Sequence, residues 1–104
     1  MIVVTTYQIE GKRIVKTLGL VRGNTVRTKY FGKDIMAGLK KWVGGEIKGY
    51  TEMMTEAREE ALQRMIKQAE DMGANAVISS RFMTSAITAD ASEILAYGTA
   101  VVVE

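Results

Sequence analysis

Apolar and polar positions change their period twice along the chain, dividing it into an extended region, a helical region and a second extended region. The opening IVVTT puts β-branched residues in series over 2–6, and after the turn signal Glu10-Gly11-Lys12 the segment RIVKTLGLV resumes an extended pattern over 13–21. Gly23-Asn24 signals another turn, beyond which TVRTKYF alternates as a half-exposed strand. From Asp34, suited to an N-cap or first turn, Ile35, Met36, Leu39, Trp42 and Val43 recur at intervals of three and four. They predict a short amphipathic helix ended by Gly44-Gly45. A long helix is predicted from Tyr50 or Thr51 to Met72, with Tyr50, Met53, Met54, Ala57, Ala61, Met65, Ala69 and Met72 on its apolar face. Glu60 stands four residues before Arg64 on the other side, in the favourable order for an ion pair. Gly73 is placed for a left-handed helix stop, and the strands AVISSRFMT and ILAYGTAVVVE follow.

The last strand is apolar on both faces. Leu95, Tyr97, Val101 and Val103 lie on one, and Ile94, Ala96, Ala100 and Val102 on the other, as in a central strand covered from both sides. One long and one short helix cover only one face of a four- or five-stranded sheet, so a second subunit is the economical cover for the other. The chain has no proline, a common guard against pairing at strand edges, so edge association is compatible with its design.

With 104 residues, 47% hydrophobic and 25% charged, the composition suits a single domain over 1–104. The absence of cysteine and histidine removes disulfides, thiolate nucleophiles, Ser-His-Asp relays and zinc or copper sites of the usual kind. An enzyme is not expected, nor is a cofactor, and any metal would need carboxylate or methionine ligands. The seven methionines lie largely on or beside the helix stripe and read as core filling. No stretch approaches a membrane span, and the start lacks a signal-peptide pattern, so a cytoplasmic protein is expected. The net charge of +2 conceals a split: residues 1–49 carry ten Lys/Arg against three Asp/Glu, and residues 50–104 four against nine. That polarity attracts an anionic partner or lets the basic half of one subunit face the acidic half of another. The second reading is favoured, because no basic run interleaved with aromatics points to nucleic acid.

Several motifs together carry a family resemblance: Thr5-Thr6, Ile9 to Lys12, VGG at 43–45, Tyr50, EAREEAL at 56–62, GANAV at 73–77 and YGTAV at 97–101. In this order they resemble the YbjQ-like family, whose members carry a heavy-metal-binding label. The resemblance implies an α+β fold with a dodecin-like β-α-β-β core and short extra strands, one short and one long helix packing on an antiparallel sheet. It also implies a ring-shaped homopentamer. Family members continue from GANAV into a strand with alternating acidic residues, whereas Arg81 and Met83 occupy those places here. A guanidinium repels a divalent ion, so no metal site is expected.

Four places merit a chemical reading. VGGEIKGYT, residues 43–51, approaches a phosphate loop in spacing, but it follows a helix and has Tyr50 where such a loop needs lysine. Gly44, Gly45 and Gly49 therefore read as a hinge between helices, while Lys48 and the helix start at Thr51 remain candidate anion contacts. Ser79, Ser80 and Arg81 suit a carboxylate or phosphate oxygen, or alternatively place Arg81 in an inter-subunit salt bridge with Glu93 or Asp90. Trp42 is a candidate interface residue, with local core as the alternative. Glu56, Glu59 and Glu60, near Arg58 and Arg64, read as a solvated, ion-paired surface. The expected partner is the chain itself, with a small ligand or ion in clefts between subunits also admissible.

Overall fold

Small residues on facing surfaces determine how closely helix and sheet approach. The computed structural model describes residues 1–28, 48–89 and 91–104. Its elements are β1 (Ile2–Val3), β2 (Ile14–Thr28), helix α1 (Lys48–Asp71), β3 (Ala76–Thr88) and β4 (Ala91–Val103). They form an α+β arrangement, one helix against a four-stranded sheet of order β1-β3-β4-β2. The sheet is mixed rather than wholly antiparallel, because β1 enters beside β3 in the same direction, whereas β3-β4 and β2-β4 are antiparallel. The short helix expected from Asp34, with Trp42, Gly44 and Gly45, lies outside the described residues.

Helix α1 buries Met53, Met54, Ala57, Ala61, Met65 and Ala69 against Val21, Val77, Ile94, Ala96 and Ala100 in one core cluster. The repeated alanines let the backbone descend onto the sheet, and the methionines fill the remaining irregular space. Met72 falls beyond the last helical residue and is exposed, so the buried stripe ends at Ala69. The stop itself is as expected: Gly73 has φ +91°, and its N–H donates to the Glu70 carbonyl at 2.9 Å while Ala74 N–H donates to that of Ala69 at 3.0 Å.

Gly23-Asn24 is not a turn. Strand β2 runs through it without a break, and Gly23 is instead the point of closest approach to α1. A Cβ there would meet the backbone oxygen of Ala61 and nitrogen of Met65, and would lie 2.7 Å from Arg64 Cβ. The glycine thus serves packing between strand and helix, a role that local turn chemistry cannot distinguish in sequence.

Among the described residues, the opposite sheet face is covered at one end, and by the chain itself. Ala76, Ile78, Val101 and Val103 form a second cluster with Val4 and Ile9 from the segment following β1. That segment is tied down by backbone hydrogen bonds from Val4 N–H to Val77 at 3.0 Å and from Ser79 N–H to Thr6 at 2.8 Å. Asn75 completes this end, its amide donating to the Val103 carbonyl at 2.9 Å and accepting from Val103 N–H at 2.8 Å. The sequence argument assigned this cover to another subunit; here the N-terminal arm supplies part of it.

Substituting Gly23→Ala should destabilise the fold by about 1–3 kcal/mol, because the clash is with helix backbone rather than a movable side-chain tip. Urea denaturation monitored by circular dichroism will show a lowered midpoint with an unchanged slope.

Candidate functional site

Alternation along β2, β3 and β4 brings side chains into rows across the uncovered sheet face. Arg22 pairs with Tyr97, and Tyr97 pairs on its other side with Arg81, so one row reads Arg-Tyr-Arg. The next row is Asn24-Leu95-Met83, and on the other side lies Leu20-Thr99-Ile78. Leu20, Arg22, Met83, Leu95 and Tyr97 line an open groove of about 340 Å³. Leu20 is 65% exposed and Met83 54%, which is much apolar surface for one face of a small sheet.

Strand β2 carries a different set of contacts along its outer edge. In an antiparallel strand, alternate residues direct both N–H and C=O away from the paired neighbour. Here Arg22 N–H donates to Gln68 Oε1 at 2.7 Å, the Asn24 carbonyl accepts from Arg64 Nη1 at 2.5 Å, and the Val26 carbonyl accepts from Arg27 Nη1 at 3.2 Å. Helix side chains and Arg27 thus close this edge over the second half of β2. Inside it, buried Thr25 donates through its hydroxyl to the Ala57 carbonyl at 2.9 Å.

Glu60 links the two elements. It accepts from Arg27 Nη2 at 2.5 Å and from Arg64 Nη2 one turn further along the helix. The Arg27 hydrogen bond holds the Glu60 carboxyl below its ordinary range, with the charges of Arg64 and Arg27 adding to the effect and desolvation opposing it. Lys67, bonded to Asp71 at 2.9 Å, is held above its ordinary value by that hydrogen bond and charge.

The residues singled out in sequence separate into different places. Ser79 adopts φ 53° where pairing between β3 and β4 shifts register, an uncommon conformation for a residue with a side chain. Ser80 bonds the Val4 carbonyl through both N–H at 3.0 Å and Oγ at 2.9 Å. Arg81 Nη1 donates to the carbonyls of Thr5 and Ser80, each at 2.8 Å. This trio fastens the N-terminal arm. Glu93, a carboxylate considered for Arg81, is bonded at 3.4 Å by Asn24, and Asp90 lies outside the described residues. Lys48 is the first residue of α1, so the helix starts earlier than expected and Gly49 and Thr51 sit within its first turn; the Lys48 side chain lies outside the described residues. Thr51 is half-buried and not without a partner. The helix start and the Ser79–Arg81 bulge are on separate elements.

Sequence reasoning did not single out Arg22 or Tyr97. The supposed turn at Gly23-Asn24 interrupted the alternation Leu20, Arg22, Asn24, and an unbroken strand would have revealed it.

Among the described residues, no three Asp or Glu side chains come together to hold a metal ion. The chain has no cysteine or histidine, the donors that heavy metals commonly take.

Comparison with known proteins places these features in context. A family model described as "Putative heavy-metal-binding", that of YbjQ, matches residues 1–104. A UPF0145 protein of Dehalococcoides mccartyi is 57% identical over 104 residues, covering all of both chains. A UPF0145 protein of Photobacterium profundum is 61% identical over 101 residues, 97% of this chain and 98% of that one. The fold is similar to the crystal structure of a protein of unknown function in the DUF74 family from Pediococcus pentosaceus, with TM-score 0.69 and 18% identity, covering 100% of this chain and 98% of that one.

Because Glu60 is held more acidic in the folded state, its ion pairs contribute stability above its unfolded-state pKa, and that contribution is lost as pH falls through the folded value. In Glu60→Gln, thermal melts at successive pH values will therefore show a smaller loss of Tm on acidification below about pH 4.5 than the wild type.

Proposed function

The chain belongs to the YbjQ family, and from that premise we propose that it is a non-enzymatic, ring-forming homo-oligomer working in the cytoplasm. A pentamer is the ring size that the family resemblance implies. The observation that carries this reading is the placement of two long open strand edges. On the side of β3 away from β4, residues 82–87 have no strand beside them among the described residues, since β1 pairs only with Ala76 and Val77. Their sequence, FMTSAI, contains no charge and no proline to discourage pairing. On β2, the contacts with α1 close the edge near Arg22 and Asn24 but leave residues 14–20 beyond them.

These two stretches lie on opposite sides of β4 and toward opposite ends of it, because β2 begins beside Val103 whereas the open part of β3 runs toward Ala91. Pairing one with the other joins different surfaces of successive copies. Such head-to-tail contacts form a closed ring when the rotation between copies returns to the start. Exposed Phe82 and Ile87 on one stretch and Ile14 and Val15 on the other would gain apolar cover.

The family's metal label is not carried into this proposal. Its natural ligands are absent, and Arg81 brings positive charge to the face where the family pattern calls for acid. No helix among the described residues is long and apolar enough to cross a membrane.

Size-exclusion chromatography with light scattering should give a mass about five times 11.4 kDa. Placing lysines on the open edge with Thr84→Lys and Ala86→Lys should shift the protein toward smaller species with little change in helical signal. A wild-type mass of one chain at high concentration would remove the assembly reading.

A further inference from the structure

We infer that the groove on the open sheet face binds a small amphipathic carboxylate, with its charged head between Arg22 and Arg81 and its apolar body along Leu20, Leu95 and Met83. The charge arrangement selects this occupant. Arg22 and Arg81 flank Tyr97 in one cross-strand row, their Cα atoms about 10 Å apart by two strand spacings. Among the described residues neither guanidinium is paired with a carboxylate, and the Tyr97 hydroxyl has no hydrogen-bond partner. Glu93 shares the face, but it lies four residues along β4 from Tyr97, about 13 Å away, and is bonded by Asn24.

Two unneutralised cations and a phenol beside an apolar floor complement an anion with a hydrophobic tail. A metal cation would be repelled, and a purely apolar ligand would leave the guanidiniums without a counter-charge. Arg81 is held in place through Nη1 by Thr5 and Ser80, which reduces the ordering that binding requires. Among the described residues Arg22 is held only through its backbone, by Gln68, and no contact among them occupies its side chain. The groove volume of about 340 Å³ lies within the range of small-molecule sites, roughly 300–1,000 Å³.

The inference goes beyond assembly, and the two fail separately: a ring that ignores the ligand removes this inference alone, and a monomer that binds it removes only the ring. The experiment is calorimetric titration of the full chain with butyrate, octanoate, decanoate and decanol below their aggregation limits. Methyl shifts of Leu20, Leu95 and Met83 report the location. The expected result is saturable decanoate binding at one site per chain, weaker by roughly threefold for each methylene removed. Decanol should bind at least about tenfold more weakly than decanoate, and Arg22→Gln should weaken decanoate about tenfold while Arg22→Lys retains part of the affinity. Absence of saturable decanoate binding, including exclusion by a second copy seated on this face, would overturn the inference. So would equal binding of decanol, or unchanged affinity in a folded Arg22→Gln protein.

Discussion

The approach of α1 to β2 at Gly23 is the constraint on which the rest of the molecule depends. With no side chain at that position, the Ala61-to-Met65 turn of the helix lies directly on the strand. Only at that separation does Arg64 reach the Asn24 carbonyl, Gln68 the Arg22 N–H and Thr25 the Ala57 carbonyl. A helix raised by even one methyl group would lose packing over the alanine stripe and loosen these bonds together. One glycine therefore connects core packing to closure of a strand edge.

That closure gives the sheet its asymmetry. The helix occupies one face and seals the second half of β2, while the N-terminal arm covers the Val101 and Val103 end of the other face. Among the described residues, what stays open is the groove around Tyr97, the outer edge of β3 and the first part of β2. The positive character of the groove follows from the same architecture: α1 draws Glu60 toward Arg27 and Arg64, and Asn24 holds Glu93, leaving Arg22 and Arg81 without a carboxylate among the described residues.

Much of this was legible in the residues. The stripe from Met53 to Ala69 repeats at helical spacing, Gly73 marks the stop, and the two apolar faces of β4 show in its alternation, because each depends on a local period. Gly23 was misread because a glycine-asparagine pair has the same appearance in a turn and beneath a helix; only the distant Ala61 and Met65 distinguish the cases. The Val4 and Ile9 cover was likewise invisible, since it arises from contacts with residues more than 65 positions away in sequence. Ser79, Ser80 and Arg81 read in sequence as an anion contact or a salt bridge, because their hydrogen-bond partners, the carbonyls of Thr6, Val4 and Thr5, carry no side-chain signature.

Amide hydrogen exchange, followed residue by residue across protein concentration, tests the partition of the sheet most directly. Arg22, whose N–H is bonded by Gln68, should exchange slowly at every concentration, whereas amides in residues 82–87 that face away from β4 should become protected only as copies associate. Fast exchange at Arg22 in the folded protein, or edge amides of β3 that remain unprotected in an associated state, would contradict the account.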